Sequence, residues 1–555
     1  MSLRTWWLVL LLGCDPTSVN HEPDAAPTDS ACAVATGTLR DQVLANGDGV
    51  EDRYYWLHVP SSYDCTTALP LLVDFHGTAS DKPEEAYQTD ALIAFAEREN
   101  VIVARPRSRS AAFLGFQIYR WDQNAGDLAR NRTFAKLVVD ELELRYAIDP
   151  ARVYASGFSS GSNMTAQFLV DATSPFRGLA PIAGGRWTQE PLPALANGPR
   201  VYMSTGYRDY LWPTARTLIA QLATAGLPDD RLYVSRTGGG HDLYAWHFDE
   251  AWRFLDRGER PGAGAIAAPW TATTLPSPAD VNAFALDGST LVAAGARGRT
   301  WRRDSTSAWS LELDRGNADY TALCFGPSDR SFVGGSYTGV LRTSGTWGGD
   351  VTLPDYGMLG RGWVNGAACR DDGSIVVVGY WSAALTSNGT SWSQFHMPST
   401  FGVEHQSAGV AQAPSGATVA VGYYDFIGVA AQGSVTTTDV AHGAPTEWWN
   451  AVAALAGGRF WVVGDAGQIR VSTNGGASWQ SQASGTSENL YAVHFADAMH
   501  GAAVGRRGTV IVTADGGAHW TARPLGKDVY LGAVFVDATT VTIAGEAGLV
   551  ATSPR

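Results

Sequence analysis

Apolar runs alternate with longer amphipathic segments over the first half of the chain, and give way to short strand-like runs separated by glycine-rich turns over the second. Between residues 33 and 260, strand patterns fall at Tyr54–Val59, Leu69–Phe75, Val101–Ala104, Arg152–Ala155, Leu179–Ile182, Val201–Thr205 and Leu232–Val234. Helical patterns fall near Glu84–Arg98, Leu128–Arg145, Ser160–Val170, Thr214–Ala225 and Leu243–Leu255. Strands alternating with helices predict an α/β domain, a mostly parallel sheet with helices on both faces. The small, uncharged stretch 261–269 reads as a linker.

Beyond the linker the helical period disappears. A glycine after a short apolar strand recurs at Gly295, Gly334, Gly379, Gly422, Gly464, Gly505 and Gly545, at intervals of 39 to 45 residues. That period predicts an all-β, seven-bladed propeller over 270–555. Trp309, Trp347, Trp392, Trp479 and Trp520 mark the fourth strand of their repeats, with Val435 in place of the tryptophan in repeat four. The last repeat ends before its own fourth strand. Trp270-Thr-Ala-Thr-Thr-Leu275 matches Trp520-Thr-Ala-Arg-Pro-Leu525, so an N-terminal strand is predicted to complete the last blade and close the ring.

The candidate chemistry lies in the first domain. Gly157-Phe-Ser-Ser-Gly161 follows an apolar run and opens a helical pattern, the setting in which a sharp turn exposes a nucleophilic serine, Ser159. The strand ending at Phe75 runs into His76-Gly77-Thr78, whose backbone N–H groups at Gly77 and Thr78, with that of Ser160, would form an oxyanion hole. The His76 side chain is read as structural. Asp209 follows the strand Val201–Thr205, and His241 follows Gly238-Gly-Gly240 after the next strand. The order Ser159, Asp209, His241 is that of an α/β hydrolase, with His241 as base and Asp209 orienting it. Asp242 and Asp249 are the competing acids, read as serving a loop and a solvated face; His247 is placed on a helix surface. Phe113, Phe116, Tyr119, Trp121, Tyr210, Trp212, Tyr244 and Trp246 form an aromatic set divided between cleft and core.

Composition narrows the classes. The 555 residues carry a net charge of −14 with no Lys/Arg run, which argues against a nucleic-acid partner or an anionic membrane surface. No metal-ligand spacing exists among the cysteines, and no metal or cofactor is expected. Arg4 and the apolar run Trp6–Leu12 have the layout of an export signal over 1–13, followed by a polar tether over 14–32. Leu11-Leu-Gly-Cys14 resembles the lipobox of bacterial lipoproteins, which implies lipidation of Cys14 and an exported protein, membrane-bound only through that lipid; the alternative is an ordinary cleaved signal. In an oxidising compartment Cys32 and Cys65 are a plausible disulfide. Cys324 and Cys369 occupy equivalent repeat positions, either facing each other or as buried thiols.

Arg53-Tyr-Tyr-Trp-Leu-His-Val-Pro60 with Ser62-Tyr-Asp64, Phe75-His-Gly77, Ala147-Ile-Asp-Pro150, Gly157-Phe-Ser-Ser-Gly161 and Gly239-Gly-His241 together resemble the secreted esterase family of polyhydroxybutyrate depolymerases and feruloyl and acetylxylan esterases. The resemblance covers most of 33–260 and implies a Ser/Asp/His triad at Ser159, Asp209 and His241. The chain departs from the family at Gly206-Tyr-Arg208, where relatives often read His-Gly-Thr, and at Ser160, where alanine or asparagine is common. Ser472-Thr-Asn-Gly-Gly-Ala-Ser-Trp479 and Thr513-Ala-Asp-Gly-Gly-Ala-His-Trp520 resemble the Asp-box repeats of sialidase-like and photosystem II assembly-factor-like propellers, with Asn474 and Asp515 as turn residues.

The function expected is an exported serine carboxylic-ester hydrolase acting on a polymeric or surface-bound ester, polyester or acylated polysaccharide, with the propeller as platform for a glycan, a protein or the substrate. The rival reading is a propeller binding module carrying a degenerate hydrolase scaffold.

Overall fold

The computed structural model describes residues 35–555 except for short stretches, the longest being 80–87, 352–362, 395–406 and 441–447. Cys14, Cys32 and Val435 lie outside the described residues. Among its described residues the first region holds ten strands and five α-helices: β1 (Gly37–Leu44), β2 (Arg53–Val59), β3 (Leu69–Phe75), α1 (Thr89–Glu99), β4 (Ile102–Pro106), β5 (Ser110–Phe113), β6 (Phe116–Tyr119), α2 (Ala125–Arg145), β7 (Ile148–Phe158), α3 (Ser160–Ala166), β8 (Gly178–Ile182), β9 (Arg200–Gly206), α4 (Trp212–Thr224), β10 (Leu232–Thr237) and α5 (Ala245–Leu255).

Eight of these strands form one sheet in the order β1-β2-β4-β3-β7-β8-β9-β10. The pairings β1·β2 and β2·β4 are antiparallel and the other five are parallel. Alternation along each strand feeds two cores. In β3 and β7, Leu71, Val73, Val153 and Ala155 join Phe134, Val138 and Leu218 of α2 and α4 on one face. Leu72 and Tyr154 join Phe95 and Trp252 of α1 and α5 on the other. Burial on both sides explains why these strands read as unbroken apolar runs.

From residue 271 the strands group into four-stranded antiparallel sheets. Six consist of four consecutive strands, from Val281–Asp314 through Leu490–Ala522. A further sheet joins the two ends of the region: β11 (Thr271–Thr274) pairs with Leu549–Pro554, Thr271 opposite Thr552. The repeat glycines end second strands where another strand passes close. A Cβ at Gly295 would lie 1.9 Å from the Asp280 carbonyl oxygen, and the same approach recurs at Gly335 rather than at Gly334. Asn474 and Asp515 accept the N–H of Ser478 and His519 at 3.0 and 2.9 Å, closing the two Asp-box turns. Cys324 and Cys369 form a disulfide between neighbouring blades.

The fold class expected from the sequence, an α/β hydrolase domain followed by an all-β seven-bladed propeller, is corrected. Thirty-eight strands stand against five α-helices among the described residues, so the chain is predominantly β. Its first sheet is mixed, with an antiparallel edge; six of the later sheets run through consecutive strands, and Thr271–Thr274 completes the remaining one, as the match between Trp270–Leu275 and Trp520–Leu525 predicts. The physical reason lies in short segments that carry no clear period. The helix expected over Ser160–Val170 gives way after Ala166 to a 3₁₀ turn, and the edge strand β1 and the β5–β6 hairpin went unpredicted.

The two regions share one apolar cluster, in which Tyr207 and Trp212 pack with Tyr423, Tyr491 and Tyr530. Polar contacts cross the same junction. Trp212 Nε1 donates to Asp319 at 2.6 Å, Arg216 pairs with Asp319 at 3.0 Å, and Arg236 pairs with Asp280 at 3.0 Å. Arg506 pairs with Glu250 at 3.2 Å and lies 3.5 Å above the Trp246 ring. The chain at 264–269 is packed rather than free: Ala267 donates to the Leu525 carbonyl at 2.9 Å.

Candidate active site

Ser159 sits at the turn from β7 into α3 with φ 56° and ψ −114°, backbone that a residue with a side chain adopts only under restraint. The restraint is visible. A Cβ on Gly161 would fall 1.9 Å from the Phe75 carbonyl oxygen, so the start of α3 lies directly on the end of β3. The Ser159 N–H donates to Ile182 of β8 at 3.1 Å. This packing sets the Phe75 and His76 carbonyls against Gly161 at the start of α3, just before the Gly77–Thr78 loop. Gly77 is buried, Thr78 is exposed, and the Ser160 N–H belongs to a first helical turn, where amides have no intrahelical partner.

His76 is fully buried. Its Nδ1 bonds the Gly77 carbonyl at 2.5 Å, its Nε2 accepts the Ser108 N–H at 3.0 Å, and its own carbonyl accepts Trp121 Nε1 at 3.0 Å. Burial pushes its pKa down to about 3, so it serves as a neutral brace of the loop.

Two adjacent turns bring the other groups. Arg208 N–H donates to Gly239 O at 3.2 Å and Tyr207 N–H to Thr237 O at 3.0 Å, lacing the loop after β9 to the loop after β10. His241 Nε2 then lies 2.8 Å from Ser159 Oγ, and His241 Nδ1 lies 2.9 Å from Asp209 Oδ1. Asp209 is fully buried and also accepts the Leu211 N–H at 2.7 Å. The imidazole is held between the rings of Phe158 and Tyr210, at centroid distances of 5.0 and 4.5 Å. A hydroxyl, an imidazole and a buried carboxylate in line form a proton relay that can raise the nucleophilicity of Ser159.

One reading of a neighbouring residue is corrected. His247 is buried, not on the helix surface: its Nδ1 accepts the Tyr244 N–H at 2.9 Å and its Nε2 lies 2.9 Å from Ser204 Oγ, because α5 lays that face on the sheet. Asp242 is buried in the loop before α5 and accepts the Tyr244 hydroxyl at 3.0 Å. Burial, with Asp465 across the junction, pushes its carboxyl well above the ordinary range. Asp249 is exposed and paired with Arg98.

The aromatic set divides among different tasks. Trp121 is core, Tyr210 packs on His241, and Trp212, Tyr244 and Trp246 reach the junction. The side chains of Phe113 and Phe116 lie outside the described residues. Sequence reasoning missed Tyr207 and Arg208 as junction residues. The available signal was the departure Gly206-Tyr-Arg208 itself: the Tyr207 hydroxyl donates to Asp280, and Arg208 reaches into the second region.

Comparison with known proteins matches residues 477–555 to the photosynthesis system II assembly factor YCF48 family. Poly(3-hydroxyalkanoate) depolymerase C of Paucimonas lemoignei is 30% identical over 164 residues, 29% of this chain and 38% of that protein. The bifunctional acetylxylan esterase/xylanase XynS20E of Neocallimastix patriciarum is 23% identical over 40% of this chain and 35% of that protein. A probable feruloyl esterase C of Aspergillus terreus is 25% identical over 28% of this chain and 56% of that protein. The chain thus spans between about a third and just over half of these relatives, and what they share by name is esterase or depolymerase chemistry. Among solved structures, YCF48 from Cyanidioschyzon merolae aligns with 17% identity and a TM-score of 0.42 over 52% of this chain and 98% of its own. Virginiamycin B lyase from Staphylococcus aureus aligns with 11% identity and a TM-score of 0.44 over 52% of this chain and 99% of its own.

Proposed function

We propose that the chain is an exported serine carboxylic-ester hydrolase acting on a polymeric or surface-bound ester, a polyhydroxyalkanoate or an acylated plant polysaccharide. The observation that carries the reading is the relay in which Ser159 Oγ lies 2.8 Å from His241 Nε2 and His241 Nδ1 lies 2.9 Å from Asp209. The distant similarity to esterases supports it. Neutral His241 takes the Ser159 proton as Oγ attacks the ester carbonyl carbon, and Asp209 holds the imidazole tautomer and stabilises the imidazolium. The N–H groups of Ser160, Gly77 and Thr78 receive the oxyanion. Collapse of the tetrahedral species expels the alcohol, which takes the proton from His241 and leaves an acyl-Ser159. Water, deprotonated by His241, then releases the acid and restores Ser159.

The proposed setting is outside the cytoplasm, with residues 1–13 as the export signal, Cys14 as a lipid-anchor site and Cys32 as the partner of Cys65. The rival reading, a degenerate scaffold beneath a binding propeller, is disfavoured because all three relay side chains are present and in contact. The test is hydrolysis of p-nitrophenyl acetate and butyrate by the protein and by Ser159→Ala. Activity in the parent and a loss of at least about 10³-fold in the variant is expected. A folded parent that cleaves neither ester overturns the reading.

A further inference from the structure

The inner strands of the four-stranded sheets surround a central cavity of about 310 Å³. Each inner strand carries a register shift next to its start, between Val281 and Ala283, Tyr320 and Ala322, Val364 and Gly366, and likewise in the others. The residues at these shifts, among them Asn282, Thr321, Asn365 and Asn450, line the cavity and reach the next sheet. Asn282 Nδ2 donates to Tyr320 O, Thr321 Oγ1 to Val364 O, Asn365 Nδ2 to Ser407 O and Asn450 Nδ2 to Leu490 O, all within 2.6–3.0 Å. The ring therefore stitches neighbouring sheets together at one end of the channel, the end on which the first region rests.

Into that end comes one side chain from the first region. Arg208, next in sequence to Asp209, lines the cavity and is nine-tenths buried, with 9% of its surface exposed. Among the described residues no carboxylate pairs with it, and its Nη1 is buried with no hydrogen-bond partner. The groups facing it are the phenols of Tyr423, Tyr491 and Tyr530, which carry no charge to balance it. A guanidinium stays protonated at any ordinary pH, and a buried charge without a counter-charge is costly. Elsewhere at this junction Arg216, Arg236 and Arg506 each have a carboxylate partner. Arg208 is the exception, and it lines the central cavity.

We propose that the propeller channel binds a small carboxylate, held at the junction end by Arg208 through its fork of N–H donors. A planar guanidinium matches two carboxylate oxygens side by side, and the largely uncharged wall strengthens the pair. The cavity holds a molecule of a few carbon atoms beyond the carboxylate. The site is separate from the ester-hydrolysis relay and does not rest on that reading.

The test uses full-length Ser159→Ala protein and calorimetric titration with sodium acetate and sodium glycolate, against sodium chloride at equal ionic strength. Saturable binding of either carboxylate, absent for chloride, is expected. Arg208→Gln is expected to weaken it by about tenfold or more, the scale of one lost charged hydrogen bond. Because Arg208→Gln alters the junction, Ala367→Leu, which narrows the channel wall without touching the junction contacts, is measured beside it and is expected to weaken binding as well. No carboxylate binding, equal response to chloride, or carboxylate binding unchanged in Ala367→Leu overturns the proposal.

Discussion

The turn that carries Ser159 and the turn that carries His241 are both lined by glycines that something approaches closely, but the approaching groups belong to different parts of the molecule. At Gly161 it is the backbone of β3 in the same sheet, with a Cβ falling 1.9 Å from Phe75 O. At Gly240 it is the propeller, with a Cβ falling 1.5 Å from the Tyr423 hydroxyl oxygen. The neighbouring Asp209 turn follows the histidine: Tyr207 is bonded to Asp280 and Trp212 to Asp319. Ser159 is thus shaped by its own sheet, whereas His241 and Asp209 are held at the junction. The propeller is then part of what aligns the relay, and a reading of it as a spacer alone leaves these contacts without a purpose.

The largest effect tests the junction-held half directly. Asp209→Asn preserves shape, yet an amide in place of the carboxylate favours the wrong imidazole tautomer and cannot stabilise the imidazolium. Activity toward p-nitrophenyl butyrate is expected to fall by about 10⁴-fold, with a melting temperature near that of the parent. A loss smaller than tenfold would remove Asp209 from the relay.

A smaller effect separates the two glycine turns. Gly240→Ala pushes against Tyr423 and should displace His241 by a fraction of an ångström to an ångström, enough to lower kcat/KM by about ten- to a hundredfold. The loss should be partly recovered in Gly240→Ala/Tyr423→Leu, where the propeller makes room. Gly161→Ala meets backbone, so no propeller substitution should recover it. Recovery of Gly161→Ala by Tyr423→Leu, or none for Gly240→Ala, would break the distinction.

The same division governs what the sequence reveals. Ser159, Asp209 and His241 stand out because each follows an apolar strand and sits among glycines, a local pattern that names the residue without its neighbours. The repeat glycines stand out for the same reason, although at one repeat the close approach falls on Gly335 and not Gly334. What is illegible is pairing across distance. Nothing local links Gly240 to Tyr423 or Arg506 to Glu250, and no period marks His247 as buried, because an imidazole is equally at home on a polar face. The fold class suffered likewise: the α/β and seven-blade expectation weighed helical period in one region against strands counted by repeats, while short strands such as β5 and β6 have no period to count.

The smallest predicted effect titrates the junction itself. Asp242, beside His241, faces Asp465 of the propeller, and the Tyr244 hydroxyl bonds Asp242 between them. Asp465 also accepts Asn450 Nδ2 at 2.8 Å, and burial pushes its carboxyl up to about 6. In the unfolded chain an aspartate titrates near 4. Between those values the folded protein keeps a proton that the unfolded chain has lost, so stability is greatest at the acidic end, declines as pH rises from about 4 to about 6, and then levels. Asp465→Asn keeps the Asn450 bond and removes the titration. The variant should melt with the parent near pH 4 and above it at pH 7, by an amount equivalent to roughly 3 kcal/mol. The gain belongs to the junction and should be absent from Asp140→Asn, whose carboxylate is exposed on α2. Equal gains in the two variants would mean that the pH response comes from the chain's overall negative charge and not from the pair that spans the two regions.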